Sequence, residues 1–571
     1  MSPNMLPPAT GANTTAASSV RPWMWALLLG AALGVRVSAA IAEPVVQPDG
    51  AIFLHLAREA RERSWEPALA HDQHPLYPLA VSFVQPILGN WEWSGRGLSI
   101  LCGTLTIVPV VLLGIRLAGL PAGLLGGWLF AAARYPAQYG GTALADALHG
   151  LLFALSAWAG AAGLGLGRAP DGPSRAARRF GAPAWFLAAG VFSGLAYLTR
   201  PEGLIIAFSI GVLSCDRVLS AARTSGFAGG WALRMTLLVL GLVVTGGPYA
   251  AHLSRTYGEF MLTRKKNVGE VLRGERPKAP PPAAGAPEEK KAEKKTSQAP
   301  QPALPDRGAL SGILAAAVLA APEHPPTVPP ASALAAARSI GVLLALRDSA
   351  EVIGWLSAVL LIAGLLSRPS GSPAAIEKLF FLLPLVIFVL LLSSIQAMEG
   401  YGARRHFYPV ATLAAGWTGA GAVAIASLFA GWKRRPELAS RAAAVLTAFA
   451  VLAMIPKSAG WIPPTKGYPD AWMRDAGIEL RGALRPSDTV FAAGGTSRVA
   501  FYSGARLVAP QWAAGRMDLA SACRQGGSAG AGWVLLDEAI AAPLEEPPPG
   551  WKLIRRVPHG ADEVRAYRKD G

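Results

Sequence analysis

Long apolar runs separated by short polar stretches fill most of the first 455 residues. A bilayer-spanning helix needs about 17–25 apolar residues. On that measure the pattern predicts eleven spans: Trp23–Ala42, Gly97–Ala118, Gly119–Ala133, Ala145–Leu166, Pro183–Leu198, Leu204–Ser214, Trp231–Ala250, Ile353–Leu366, Leu379–Ile395, Val410–Phe429 and Ala442–Ile455. The shorter ones must be tilted or extended at their ends. Ala309–Ala321 and Ala331–Leu346 are alanine-rich and proline-broken, and read as interfacial helices or further spans. Small residues close the first span as they would a signal peptide. It is longer than a signal h-region and many spans follow, so the expectation is an uncleaved helix.

Three stretches break this pattern. Residues 1–22 are rich in Pro, Ala, Ser and Thr and read as a disordered tail. Residues 264–308 are a Lys/Pro/Ala/Glu tract that has nothing to build a core from, and read as a disordered insert. Residues 457–571 lose the long apolar runs. There Asp470–Leu484 predicts an amphipathic helix. Thr489–Ala493, Ala505–Val508, Trp533–Leu536, Lys552–Val557 and Val564–Tyr567 predict short strands between Gly/Pro turns. The expected fold class is a polytopic α-helical membrane protein: a transmembrane domain over 23–455 and a small α/β domain over 457–571.

Composition agrees. Of the 571 residues 52% are apolar and 16% charged, against about 25% charged in soluble domains. Mean hydropathy is +0.35. The net charge of +17 comes mainly from loops, tails and the insert, so it implies contact with membrane lipids rather than nucleic acid. With the amino terminus inside, the short inner segments hold fourteen Lys/Arg and the outer ones eight. That bias predicts an N-in, C-out topology. Cys102, Cys215 and Cys523 have no metal-ligand or disulfide spacing. There is no Walker A loop, and the spans are poor in central charge, which argues against ATP-driven or proton-coupled transport.

Five polar features fall on the outer side of this topology. Asp49 opens the stretch Gly50–Trp65, whose Ile52, Phe53, Leu56 and Ala60 form one apolar stripe, as in an interfacial helix. Asp49 suits either a helix cap or a general base. The segment His71–Ala80, HDQHPLYPLA, reads as a loop with rigid turns at Pro75 and Pro78. His71, Asp72 and His74 there suit either plain polar surface or a divalent metal, and Tyr77 a shaped substrate contact. Asp146 stands at the mouth of the fourth span with His149 on the same face. Arg200 and Glu202 lie in a tight hairpin, Thr199–Gly203, where an arginine fork can meet a phosphate. Arg404 and Arg405 lead into the span from Val410, against the positive-inside bias. Arg36, in the outer half of the first span, needs a carboxylate or phosphate partner, and Asp49 is a candidate.

This ordered set resembles the GT-C class of membrane glycosyltransferases: protein O-mannosyltransferases, lipid A aminoarabinose transferases and related bacterial polyprenyl-phosphate-sugar transferases. The resemblance rests on Arg36, Asp49, His74 to Pro78, Asp146, Arg200 to Gly203 and Arg405 to Pro409, and spans about residues 20–455. It implies a sugar donor carried on a polyprenyl phosphate and an acceptor that is a lipid, glycan or protein. Asp49 would take the acceptor proton. Arg200 with Arg404 or Arg405 would hold the phosphate. Arg36, His74, Tyr77, Asp146 and Glu202 would bind substrate. The lipid phosphate carries the activation, so no nucleotide cofactor is implied. The alanine-, glycine- and arginine-rich composition points to a bacterial cytoplasmic membrane, with the site facing outward. Two other classes remain open: a lipid or polysaccharide transporter or flippase, and a membrane scaffold with an outer binding domain.

Overall fold

The computed structural model describes residues 20–167, 175–225, 229–264, 331–367, 374–399, 404–432, 438–461, 470–492, 495–508, 517–539 and 545–570. The expected tail, the 264–308 insert and Ala309–Ala321 lie outside the described residues, apart from positions 20–22 and 264.

The apolar runs are helices. The first twelve are α1 (Pro22–Ala42), α2 (Pro48–Glu62), α3 (Glu66–Ala70), α4 (Leu76–Leu88), α5 (Trp91–Leu105), α6 (Ile107–Ala118), α7 (Leu120–Ala132), α8 (Arg134–Tyr139), α9 (Asp146–Gly163), α10 (Arg175–Tyr197), α11 (Leu204–Ser225) and α12 (Gly229–Tyr257). Then come α13 (Ala331–Ile353), α14 (Trp355–Leu366), α15 (Ala374–Glu399), α16 (Tyr408–Trp432), α17 (Ala439–Ser458) and α18 (Trp472–Leu480). Among the described residues six helical stretches are long and apolar enough to cross a membrane. A seventh arises if α13 and α14, bent by 100° at Gly354, count as one span. The sequence pattern predicts about eleven, several of them shorter than a full span, and the described residues also hold the shorter apolar helix Leu76–Leu88. Leu120–Ala132, Gly181–Tyr197 and Pro201–Cys215 are apolar but short. Asp146–Gly163, absent from the six, carries Asp146 and His149 in its first turns.

The chain divides into two units. One comprises 1–265, 348–387 and 404–571 and carries everything discussed below. The other comprises 266–347 and 388–403. In it Gly341 backs onto the main chain of Ser393, where a Cβ would come within 2.8 Å of a carbonyl oxygen.

The segment His71–Ala80 is not a loop throughout. Leu76 starts α4, and Pro78 sits in its first turn, where no intrahelical N–H is required. Gly89 then takes φ 68°, the left-handed conformation that closes a helix at little cost to glycine. Asn90 restarts the chain by accepting the Trp93 N–H at 3.0 Å.

The carboxy-terminal strands form a sheet in the order β2-β1-β3-β5-β4. They are β1 (Thr489–Ala492), β2 (Arg506–Leu507), β3 (Trp533–Ala539), β4 (Trp551–His559) and β5 (Asp562–Lys569). β1 pairs in parallel with β2 and β3; β5 pairs antiparallel with β3 and β4. Two further helices complete the region, α19 (Thr496–Ser503) and α20 (Leu519–Ser528). Period-two alternation sorts its side chains. Val490, Ala492, Trp533 and Leu535 join one core with α18 and α19. Phe491, Val534 and Leu536 join another with α20.

The first of these cores also contains Ile52 and Leu56 of α2. The opposite side of α2 gives Phe53, Leu54 and Ala57 to a core with α4, α5 and α9. Helix α2 is thus covered on both sides, not on one stripe as the sequence pattern predicts. The sheet supplies the second cover, and no periodicity in α2 could announce it.

Candidate functional site

Four segments far apart in sequence meet at one place: the start of α2, the start of α9, the turn between α10 and α11, and the turn entering α16. Asp49 is the second residue of α2, behind Pro48, and is 5% exposed. Its carboxylate accepts a hydrogen bond from Nη2 of Arg405. Asp146, 2% exposed, opens α9. It accepts from Nη1 of Arg200 at 2.7 Å. Nη2 of Arg200 reaches Glu202 Oε1 at 3.2 Å and His406 Nδ1 at 2.5 Å.

His406 Nδ1 also lies 2.9 Å from Glu202 Oε1. One ring nitrogen plays one role at a time. It accepts from Arg200 when unprotonated, or donates to Glu202 when it carries hydrogen. Burial pushes the Glu202 carboxyl upward, but the Arg200 guanidinium and His406 outweigh it and hold this acid well below the usual carboxylate range. Arg405 acts electrostatically on both Arg200 and His406, which joins the two ion-paired groups into one cluster. Three carboxylates therefore face two guanidinium groups in a largely buried place. Charges survive there because each is paired and hydrogen-bonded.

Arg404 turns elsewhere. Its Nε pairs with Glu351 at 2.9 Å and Asp348 at 3.5 Å, and its Nη1 donates to Tyr135 Oη at 2.9 Å. The structure gives different partners to the two adjacent arginines, which the sequence left interchangeable. Arg36 does not pair with the candidate Asp49, whose partner is Arg405. It is fully buried in α1, donates from Nη1 to Ala32 O at 3.1 Å and faces Tyr408. Gly103 and Gly140 make room for it, since a Cβ at either would come 2.8 or 2.7 Å from Arg36 Nε. Tyr77 is fully buried, and its hydroxyl contacts Gly95 O at 2.9 Å and Ser99 Oγ at 3.0 Å. Its ring packs edge-on against Phe53. His74 packs between Tyr197 and Tyr249 with Nε2 3.1 Å from Thr263 Oγ1. These last three residues lie in the packing around the cluster.

His71 and Asp72 contact one another at 2.7 Å. Among the described residues no group of three or more His, Cys, Asp or Glu side chains has metal-holding geometry. Sequence reasoning missed His406, although it lies inside the YGARRHFYP segment. It also missed the acidic pair Asp348 and Glu351, whose signal is the RDSAEVI stretch after an alanine-rich run.

The overall fold is similar to solved membrane glycosyltransferases. ArnT from Cupriavidus metallidurans, in the apo state, matches with a TM-score of 0.52 at 15% identity, over 85% of this chain and 84% of that one. The Archaeoglobus fulgidus oligosaccharyltransferase, solved with Zn and sulfate, matches with a TM-score of 0.50 at 13% identity, over 89% of this chain and 68% of that one. No protein-family model matches the sequence, and no curated protein matches it. The fold is the GT-C fold that the ordered motifs lead one to expect.

Proposed function

We propose that this chain transfers a sugar from a polyprenyl-phosphate donor to an acceptor hydroxyl or amine on a lipid, glycan or protein. The reaction takes place at the outer face of a bacterial cytoplasmic membrane. The observation that carries this reading is the meeting of Asp49 and Arg405 with the Asp146–Arg200–Glu202–His406 group. A general base and two cations stand within one buried cluster, on a fold shared with a lipid-linked sugar transferase.

The acceptor oxygen or nitrogen attacks the anomeric carbon, and the bond from that carbon to the phosphate oxygen breaks. The acceptor proton passes to the Asp49 carboxylate, which makes a poor nucleophile competent. The leaving polyprenyl phosphate gains charge. Arg405, one bond network from Asp49, meets that charge together with Arg200, and the low-dielectric surroundings strengthen both contacts. Asp146 and Glu202 orient Arg200 and keep its fork aimed. The apolar helices hold the polyprenyl tail.

The test is transfer from a radiolabelled undecaprenyl-phosphate sugar by the full-length protein in detergent, beside Asp49→Asn. Loss of a general base costs about 10²–10⁴-fold in rate. An Asp49→Asn protein that folds and turns over at the parent rate overturns the assignment and brings the flippase reading forward.

A further inference from the structure

The carboxy-terminal region reaches the helix that carries Asp49 through main-chain contacts at its entry. Residues 43–47, which connect α1 to α2, have no helix or strand of their own. The N–H of Val46, a residue 1% exposed, donates to the Tyr502 hydroxyl at 3.1 Å. That hydroxyl donates in turn to Glu92 Oε2 at 3.2 Å. Glu92 pairs with Arg96 at 2.8 Å, and Arg96 donates to Glu43 O at 2.9 Å. A closed polar circuit thus runs from Glu43 through Arg96, Glu92 and Tyr502 to Val46. On the far side of Val46, Ser497 Oγ donates to Pro48 O at 3.4 Å. Tyr502 and Ser497 both belong to α19, so one helix holds the main chain three residues before Asp49 and at the residue next to it.

The other end of α2 is clamped as well. Arg506 forks onto Glu59 at 2.9 and 3.0 Å, and Arg58 donates to Gly504 O at 3.0 Å. Burial and the Glu92 carboxylate push the Tyr502 phenol up, so its proton stays in place to be donated. A tyrosine hydroxyl has one donor and room for two acceptances, which suits a bridge between an amide N–H and a carboxylate.

We propose that Tyr502 is a positioning residue for Asp49: its hydroxyl fixes the backbone leading into α2 and thereby the direction of the catalytic carboxylate. This inference rests on the reading of Asp49 as the base. It gives the carboxy-terminal α/β region a part in the transfer reaction itself, in place of a separate binding role. Small displacements of a reacting group cost rate far more than they cost substrate affinity.

The test uses the full-length protein in detergent and three variants. Tyr502→Phe removes the hydroxyl and keeps the ring. Val564→Ala loosens the core of the same region from the buried β5 strand, without touching the circuit. Asp49→Asn removes the base. Amide exchange read by mass spectrometry over residues 43–50 accelerates about tenfold in Tyr502→Phe. It stays at the parent rate in Val564→Ala even though that variant melts earlier. With an undecaprenyl-phosphate sugar as probe, Tyr502→Phe lowers kcat by about 10–100-fold and leaves the donor KM within about twofold. Adding Tyr502→Phe to Asp49→Asn causes no further loss, because the group being positioned is gone. Unchanged exchange over 43–50 overturns the proposal. So does a fully active Tyr502→Phe beside an inactive Asp49→Asn, which leaves the base assignment standing. An active Asp49→Asn overturns the base assignment and this role with it.

Discussion

Replacing Arg200 by leucine tests whether the buried charges form a single mutually dependent cluster. The guanidinium holds Asp146 at 2.7 Å and Glu202 at 3.2 Å, and both carboxylates are less than a tenth exposed. Removing one member of a buried pair costs about 3–5 kcal/mol, because the other charge stays behind. A stranded carboxylate escapes by taking a proton. For a carboxyl of ordinary pKa near ~4 this costs about 4 kcal/mol at pH 7, and about 1.4 kcal/mol less per unit of acidification. With one or two carboxyls affected, the loss is about 4–8 kcal/mol at pH 7 and about 1–3 kcal/mol at pH 5. The sign follows from linkage. In the parent, Glu202 is held well below the carboxylate range, so its contribution is complete above the ordinary value. It fades only as pH falls through the depressed one. In the variant the folded state binds protons that the unfolded state does not, so its stability rises on acidification. The assay is denaturant unfolding followed by tryptophan fluorescence, run from pH 8 to pH 5 for both proteins. A stability gap that is flat across this range, or smaller than about 1 kcal/mol at pH 7, refutes the cluster.

Three further outcomes follow from the same geometry. Arg405→Leu lowers transfer by about 10²–10³-fold, whereas Arg404→Leu, whose partners are Asp348, Glu351 and Tyr135, stays within about tenfold of the parent; equal losses in a transfer assay would refute the division between them. Burial, then Arg506 and Arg58, hold the His55 imidazole down to about 3. The unfolded chain therefore takes up a proton below about pH 6.5 that the folded chain refuses, and stability falls by about 2 kcal/mol by pH 5; His55→Leu flattens this slope in pH-dependent unfolding, and an unchanged slope counts against it. Gly150→Val drives a side chain into the Tyr408 ring where α9 crosses α16, and lowers stability by about 1–3 kcal/mol; an unchanged melting temperature would place those helices farther apart.

Much of the charged cluster was legible as an ordered set of residues. Asp49, Asp146, Arg200, Glu202 and Arg405 are unusual for their surroundings: charged groups at the mouths of apolar runs, where charge is costly and needs a reason. Their pairing was not legible. Arg36 stood in the preceding span and had the same need for a partner, yet Arg405 takes that place from 356 residues away. Choosing between them requires the packing of α1 against Gly103 and Gly140, which are separated from it by several helices in the chain. Tyr77 and His74 looked like substrate contacts because proline-flanked polar residues suggest a shaped loop. The helix that Leu76 begins places Tyr77 in the core.

By itself the sequence determined the helical, membrane-type composition, the positions of the apolar runs and the five strands near the carboxy terminus. These depend on local periodicity and on the transfer of apolar side chains from water, which neighbouring residues settle among themselves. Tertiary structure alone decided which arginine pairs with which carboxylate. It also decided that α2 is buried on both sides and that Tyr502 reaches the entry to Asp49. Several of these are contacts between segments hundreds of residues apart, as Asp49 with Arg405 and Val46 with Tyr502 are. Buried charges and main-chain N–H groups must find partners wherever the fold brings them, and no local pattern records where that is.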